Sequence, residues 1–353
     1  MSLEPTCDLS IIIVSWNVRD LLRACLVSTR NSPSPSIVLV GEQRNMAAEG
    51  RLPSTNLPIY QSTNLPPHQS TITAEVIVVD NASSDGSAAM VVAEFPWVRL
   101  VANPDNRGFT AGNNQGLALS QGRYVLFLNP DTEVIGDALI TMLAYMKAHP
   151  AVGAVGPLLR YADGSLQSSR RRFPTFGTAL FESTPLAWHW PDNPWARRYR
   201  IADRPDDEIQ EVDWVVGAAL LVRRQTLDQV GDFDEGYFMY SEELDLCRRI
   251  KAAGWQIVYL PTAQIIHHEG KSSEQVVAAR HIRFQTSKVR YFRKFHGPLV
   301  AGALRFSILA TFAVEWALEA LKWLLGLQRP LRRARLAAYG QLLRSGLRSG
   351  VDK

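Results

Sequence analysis

Apolar residues in the first part of the chain fall into short, nearly unbroken runs separated by polar turns. Leu9–Val14, Glu75–Val79 and Val98–Ala102 read as strands, and Tyr124–Leu128 is an uninterrupted apolar run. Runs that do not alternate with polar residues belong to strands buried on both faces. Between them, Arg19–Thr29 carries Leu21, Leu22, Cys25 and Leu26 at helical spacing, and Ser87–Glu94 and Gly112–Leu119 also read as helices. Alternating strand and helix predicts an α/β fold with a mostly parallel sheet. Beyond Ala151 the pattern loosens. Val212–Val222 reads as a strand with Gly217 at its centre, Glu242–Ala253 as a helix and Gln256–Leu260 as a strand.

Residues 31–73 break this rhythm. They are rich in Ser, Pro, Asn and Gln and contain a tandem octapeptide, Ser54–Gln61 and Ser62–Gln69. Two copies are too few for a solenoid, and the composition is too polar to bury a core, which predicts a disordered insertion. As a helix-to-strand connection it belongs at the sheet edge opposite the strand carboxyl ends. A regulatory or partner-binding role is the alternative. The expected organisation is an α/β body over residues 1–30 and 74–296, the insertion, and a basic tail over 297–353.

Composition changes this picture little. At 353 residues, 46% hydrophobic and 20% charged, the chain is of globular type. Its three cysteines, Cys7, Cys25 and Cys247, are widely spaced, with no disulfide or zinc pattern, which fits a reducing compartment. No basic region followed by an apolar signal core opens the sequence. Charge is more telling. Residues 281–353 hold 14 Lys/Arg against 3 Asp/Glu, while the whole chain nets only +4. A basic end on an otherwise acidic chain points to an anionic surface, membrane or nucleic acid.

Candidate chemistry sits where predicted strands end. Pro130 terminates the Tyr124–Leu128 strand and pushes Asn129 into extended backbone, so Asp131 is displayed at the sheet edge where open α/β folds bind ligands. A carboxylate there suits a hard metal carrying a phosphate, although alone Asp131 reads equally as a helix cap. Asp80 ends another strand; an Asx-turn is its plainer reading. Asn106-Arg107-Gly108-Phe109 with Asn113-Asn114 opens a helix whose N-terminus would attract phosphate or a sugar oxygen. The spacing Gly108-x-x-x-Gly112 is not the dinucleotide fingerprint. Glu242, Glu243 and Asp245 crowd another helix start. The helix dipole favours one carboxylate there; three suggest a general base as well, with Glu243 and Asp245 roughly 200° apart around the helix. His267-His268 precedes a glycine turn, and a metal-ligand role competes with a structural one. Arg170-Arg171-Arg172 reads as a solvated charge run or as a phosphate contact.

Together these stretches resemble the inverting family 2 glycosyltransferases of GT-A fold, rhamnosyltransferase-like members especially. The matching residues are Ile11-Ile12-Ile13-Val14-Ser15-Trp16-Asn17, Val76-Ile77-Val78-Val79-Asp80-Asn81-Ala82-Ser83-Ser84-Asp85-Gly86-Ser87, Asn106-Arg107-Gly108-Phe109, Leu128-Asn129-Pro130-Asp131-Thr132, Glu242-Glu243-Leu244-Asp245-Leu246-Cys247 and His267-x-x-Gly270-x-Ser272. They span roughly residues 8–296 in family order. The resemblance implies a GT-A (Rossmann-like) mostly parallel sheet flanked by helices. It also implies donor contacts at Ser15, Asn17, Asp80, Asn106, Gly108, Asn114, Asn129 and Arg172. Asp131 and His267 would bind Mg²⁺ or Mn²⁺, and Glu243 would act as base, with Glu242 and Asp245 as rivals. Asn129 stands where the family has a second carboxylate, and Glu243 where many members have Asp. The implied reaction moves a sugar, rhamnose from dTDP-rhamnose by best match, to a saccharide or polyprenyl-diphosphate-linked acceptor; UDP- and GDP-sugars are the alternatives. A nucleotidyltransferase is a rival enzyme class, but Ser15-Trp16-Asn17-Val18 lacks its Gly-rich, Lys-containing loop. A non-catalytic sugar-nucleotide-binding or scaffold protein is a rival outside enzymes.

In Pro298–Leu327 the charged Arg305, Glu315, Glu319 and Lys322 share one arc of a helical wheel, with Phe312, Trp316 and Trp323 on or beside it. The uncharged stretch Phe306–Val314 is too short to span a bilayer. C-terminal amphipathic helices lying on an anionic membrane are therefore expected, with Arg329, Arg332, Arg333 and Arg335 toward lipid. Packing on the body or in a homodimer is the alternative. Nucleic acid is not expected, because the tryptophans precede the arginine cluster rather than interleave with it. The location implied is cytoplasmic, peripheral at the inner face of the membrane.

Overall fold

The computed structural model describes residues 6–32, 37–39, 72–182, 184–269 and 277–348. The octapeptide repeat, and Gly270 to Ser272, lie outside the described residues. The first strands are β1 (Cys7–Ser15), β2 (Ile37–Leu39), β3 (Ile72–Asp80), β4 (Arg99–Ala102), β5 (Gly122–Leu128), β6 (Thr132–Val134) and β7 (Val152–Arg160). They are followed by β8 (Leu166–Gln167), β9 (Arg170–Arg171), β10 (Gln210–Glu211), β11 (Trp214–Val215), β12 (Ala219–Arg223) and β13 (Gln256–His267). Among the described residues one sheet runs β10-β13-β7-β12-β5-β1-β3-β2, with β4, β6 and β8 attached at its margins. β5, β1, β3, β2 and β4 form a parallel half. β12 runs antiparallel between β5 and β7 and joins that half to the parallel pair β7–β13.

The continuous apolar runs are explained by layers on both sides of the sheet. Leu9, Ile11 and Ile13 of β1 pack in one cluster with the helices Arg19–Asn31 and Ala138–Ala148. Ile12 enters the other cluster, with Leu244, Tyr291 and Leu304 from later helices. Both faces are dry, so alternation disappears from the sequence. The glycines of the Phe109–Leu119 helix serve packing. A Cβ on Gly112 would lie 2.8 Å from Val14 Cγ1, and one on Gly116 2.4 Å from Ile12 Cγ2. All three cysteines are buried free thiols whose pKa is pushed up to about 12, chiefly by burial.

The structure differs from the sequence reading in four places. Ile37–Leu39, expected inside the disordered insertion, pairs in parallel with Ile72–Ala74 at the sheet edge. The strand expected over Val212–Val222 is two strands: β11 pairs with β9 in a small second sheet, and the chain turns through Val216–Ala218 before β12. β13 continues past Pro261 to His267, because a register irregularity between Leu260 and Gln264 absorbs the residue that cannot donate to the ladder. Finally, the tail charges do not interrupt its helix. Pro298–Leu324 is one helix of 27 residues, long and apolar enough by length and composition to cross a membrane. One face of it, Ala301, Leu304, Ile308 and Phe312, is buried in the same cluster as the Glu242–Ala252 helix. The Arg329–Ser345 helix folds back on it. Arg332 and Arg335, expected toward lipid, instead pair with the buried Glu319 at 2.8 and 3.4 Å. Phe312, expected beside the interfacial arc, is buried.

Gly116 gives a direct test of the close packing. Gly116→Val should destabilise the protein by roughly 1–3 kcal/mol in urea unfolding, because Ile12 has nowhere to move. Gly302→Ala, with nothing within 4 Å of the added carbon, should stabilise it by about 0.5–1 kcal/mol through helix propensity.

Candidate active site

The polar ends of four strands meet along one sheet edge. Ser15 and Asp80 are register partners at the ends of β1 and β3, and Asn81 donates its N–H to the Ser15 carbonyl at 2.9 Å. Leu128 ends β5 opposite Ile13 and Ala219, and the Asn129 N–H donates to the Ala218 carbonyl at 2.9 Å. Along the edge the order is Asp80, Ser15, Asn129, Ala218.

Asp80 is 2% exposed. Its Oδ2 accepts the Ser83 N–H at 3.0 Å, the Asx-turn that its sequence context suggests. Its Oδ1 and the adjacent Ser15 Oγ are buried with no partner among the described residues. An unsatisfied buried polar atom costs about 1–3 kcal/mol, so two of them at this sheet edge are candidates for contact with a ligand or an ordered water. Asn17 takes φ +52°, its Oδ1 accepts the Ser84 N–H at 2.7 Å, and its own N–H donates to Ser83 Oγ. Asn17 therefore shapes the turn beneath Asp80.

The Asn106–Gly108 turn closes one side of this edge. Asn106 Oδ1 accepts the Gly108 N–H at 3.0 Å, and Asn81 Nδ2 donates to the Gly108 carbonyl at 2.9 Å. Gly108 has φ +91°, and a Cβ there would sit 2.7 Å from the Phe238 carbonyl, which accepts the Phe109 N–H. Asn114 is turned to the same crossing loop. Its amide donates to the Phe233 carbonyl and Glu235 carboxylate and accepts the Phe233 N–H.

Asn129, Asp131 and His267 form a corner. His267 Nε2 lies 3.4 Å from Asp131 Oδ1 and 3.5 Å from Asn129 Nδ2, while Nδ1 faces Gln167 Oε1 at 3.0 Å. Asn129 Oδ1 is buried without a partner among the described residues. His268 points elsewhere, to Glu133 at 2.7 Å. Among the described residues no cluster of three His, Cys, Asp or Glu side chains is spaced to enclose a metal.

The three acids of the Glu242–Ala252 helix have separate fates. Asp245 is fully buried and taken up by Arg249 and Lys294, both at 2.7 Å, and by the Tyr237 hydroxyl. Glu242 and Glu243 are left without a cation partner among the described ion pairs. Burial pushes both carboxyls above the ordinary range; the Glu243 charge adds to the effect at Glu242, while backbone N–H groups at Gly217 and Leu244 oppose it at Glu243. Each keeps an Oε2 buried without a partner among the described residues. Tyr240 and Ser241, just before them, both hold positive φ, +73° and +65°. Strain of this kind in non-glycine residues typically costs about 1–3 kcal/mol and gathers at functional sites. Gly217 admits Glu243: its missing Cβ would lie 3.2 Å from Glu243 Cβ and Cγ. Gly217 precedes Ala218, so two adjacent residues connect the Asn129 corner with Glu243.

Glu243 lines a cavity shared with Glu182, Tyr199, Trp214, Tyr240, Phe284 and Lys288. Lys288 Nζ donates to the carbonyls of Ala179 and Glu182 and lies 3.6 Å from the Glu182 carboxylate. Sequence reasoning missed Gln167, Glu182 and Lys288, whose partners lie about 100 residues away and leave no local pattern. The arginine run divides. Arg170, read as solvated, is 2% exposed and bound to Asp206 at 2.8 Å. Arg172 pairs with Asp203 at 2.9 Å, away from the Asp131 corner among the described contacts.

Comparison with known proteins identifies the family and the fold. Residues 68–230 match the family model described as glycosyl transferase family 2, and residues 205–348 that of glycosyl transferase family 21. The N-acetylglucosaminyl-diphospho-decaprenol L-rhamnosyltransferase of Mycobacterium tuberculosis is 32% identical over 251 residues, 68% of this chain and 81% of that one. The rhamnosyltransferase WbbL of Escherichia coli K12 is 32% identical over 169 residues, 46% and 61% of the two chains. The mannosyltransferase PcManGT of Pyrobaculum calidifontis, solved with GDP-Man and Mn²⁺, has a TM-score of 0.50 at 16% identity, covering 100% of this chain and 90% of that one. The fold is therefore GT-A. The chain belongs to glycosyl transferase family 2 and is a hexosyltransferase-type enzyme of the rhamnosyltransferase-like kind.

Glu242 makes a prediction of defined sign. Its folded pKa lies above the unfolded one, so the stability it contributes is full in acid and lost as pH rises through the folded value. Glu242→Gln should then be more stable than the parent by about 1–3 kcal/mol at pH 8, beyond the 0.3–1 kcal/mol the helix dipole returns to the charge. The difference should vanish near pH 4; thermal melts across pH measure it.

Proposed function

We propose that the protein is an inverting rhamnosyltransferase that takes its sugar from dTDP-rhamnose and transfers it to a polyprenyl-diphosphate-linked saccharide at the cytoplasmic face of the membrane, for cell-surface polysaccharide. The reading is carried by one observation: Gly217–Ala218 links the Asn129–Asp131–His267 corner directly to Glu243. The rhamnosyl group and the polyprenyl-diphosphate-linked acceptor follow the name of the mycobacterial relative, and the dTDP carrier follows the family resemblance; a UDP- or GDP-sugar is the second reading for the donor, motivated by the GDP-Man bound in the solved mannosyltransferase.

In this reading the unpartnered Asp80 Oδ1 and Ser15 Oγ receive the nucleoside, held by the Asn17 turn and the Asn106–Gly108 turn. Asp131, His267 and the unpartnered Asn129 Oδ1 would hold a divalent ion, Mg²⁺ or Mn²⁺. The donor set fits: one carboxylate, one imidazole and one amide oxygen leave positions for diphosphate oxygens and water, as hard cations bound with substrate phosphates require. When bound, that ion neutralises charge on the leaving diphosphate. Glu243 takes the proton of an acceptor hydroxyl while that oxygen forms its bond to the anomeric carbon. The bond from this carbon to the diphosphate oxygen breaks on the opposite face, and configuration inverts. Burial suits Glu243 to the task, since a carboxyl pKa raised toward neutrality makes a better base. Arg172 and Asn114 stay outside these roles, because their contacts are to Asp203 and the 233–235 loop. Asp245 likewise stays outside, neutralised by two cations.

The apolar exposed face of the Pro298–Leu324 helix and the basic tail support a peripheral membrane position. Leu299, Phe306, Val314, Leu321 and Leu324 are 88, 74, 61, 54 and 68% exposed.

Glu243→Gln should lower transfer by roughly 10²–10⁴-fold while nucleotide-sugar binding by thermal shift stays unchanged; full activity would sink the base assignment. Asn129→Asp should lower the Mg²⁺ or Mn²⁺ concentration needed for half-maximal donor binding, since affinity rises with ligand charge. Donor identity is read by the nucleotide sugar that gives the largest thermal shift.

A further inference from the structure

The Val277–His296 helix separates two cavities. Phe284, Lys288, Tyr291 and Phe292 face the Glu243 cavity. On the opposite side of the helix, Thr286, Val289, Arg290 and Arg293 line a second cavity of about 130 Å³, closed by Pro298, Ala301, Gly302, Arg305 and Leu347. At about 100° per residue the two sets lie on opposed faces, so the second cavity is not part of the reaction site. Its lining holds three arginines and no carboxylate. Arg290 reaches Asp234 at 2.8 Å with one amino group and keeps Nε buried without a partner among the described residues. Arg305 donates Nε–H to the Gly346 carbonyl at 2.6 Å, which leaves its charge unneutralised by that contact. Gly302 opens the space: nothing lies within 4 Å of a carbon added there.

The cavity has an apolar shore. Leu299 and Phe306 lie on the stripe of the Pro298–Leu324 helix next to Gly302, and that stripe continues through Val314 and Leu321, opposite the buried Ala301, Leu304 and Ile308. Guanidinium groups in a pocket beside an exposed apolar helix face match an anionic headgroup joined to acyl chains. We propose that this cavity binds the phosphate of an anionic phospholipid headgroup while the exposed stripe lies among the acyl chains. The site deepens the peripheral membrane reading given above and rests on it. It would fix the rotation of the catalytic body on the membrane, because the cavity and the reaction site share one helix.

The test uses the full chain and vesicles of phosphatidylcholine with or without phosphatidylglycerol. The parent should bind the anionic vesicles preferentially. Gly302→Phe fills the cavity without changing charge and adds apolar surface; it should abolish the preference for phosphatidylglycerol while its melting temperature holds. Arg293→Gln with Arg305→Gln should weaken anionic binding roughly thirtyfold, at about 1 kcal/mol per arginine. Arg329→Gln with Arg333→Gln, away from the cavity, keeps a preference that Gly302→Phe lacks. If Gly302→Phe retains the preference, the headgroup site is wrong and the peripheral reading survives on general charge. If the parent binds neither vesicle, the peripheral reading itself falls, and the site with it. If soluble glycerol phosphate raises the melting temperature of the parent but not of Gly302→Phe, and vesicle binding is equal in both, the cavity serves a free phosphate and the lipid assignment is overturned.

Discussion

The antiparallel seam between β5 and β12 is the constraint on which the rest of the site depends. A purely parallel sheet would put every strand's carboxyl end at one edge and leave Glu243 without a route to it. By running backward beside β5, β12 brings the turn that leads into it, Gly217–Ala218, to the place where β5 stops. Ala218 then receives the Asn129 N–H, and Gly217 receives the flank of Glu243. Two adjacent residues thus join chain segments more than 100 positions apart, through a backbone hydrogen bond on one side and the Glu243 side chain on the other.

Around that seam, neutral and charged groups are divided in a consistent way. Acids with structural work are saturated with cations: Asp245 by Arg249 and Lys294, Asp234 by Arg290 and Lys294, Glu319 by Lys322, Arg332 and Arg335. Asp234 is accordingly held down to about 2 by its N–H and cationic partners despite its burial. Glu242 and Glu243 lack such partners in the contacts described, and burial moves them the other way. A half-buried carboxylate of one loop and two buried ones of one helix are therefore shifted in opposite directions by what stands beside them.

Much of the fold was legible because dry layers on both sides of the parallel half erase alternation and leave bare apolar runs in the sequence. The ends of those runs placed Asp80, Asn129 and Asp131 at strand carboxyl ends, while the order of the strands across the sheet came only with the structure. His267 was recognisable only through its motif, since Pro261 hides the continuity of β13. Other features were beyond reach. Nothing local in Gln167 announces that it faces His267, and nothing in Lys288 announces its burial against Glu182. The three acids at 242–245 were indistinguishable as letters, because what separates them is Arg249, Lys294 and Gly217, brought in by tertiary structure. Two tail arginines were misplaced for a related reason: nothing local in Arg332 or Arg335 announces the buried Glu319 on the preceding helix.

Asp85 carries a last consequence. Its two carboxylate oxygens accept the leading N–H groups of two helices at once, Arg19 at 2.8 Å and Ser87 at 3.0 Å. The turn between Asp80 and Ser87 is thereby locked from both flanks before any ligand arrives. If a nucleoside binds beside Asp80 as proposed, it meets a turn already held by both helices, so little conformational entropy would be lost on binding. In that reading, discrimination among bases would come from steric fit to a rigid wall rather than from a loop that reshapes itself around each guest.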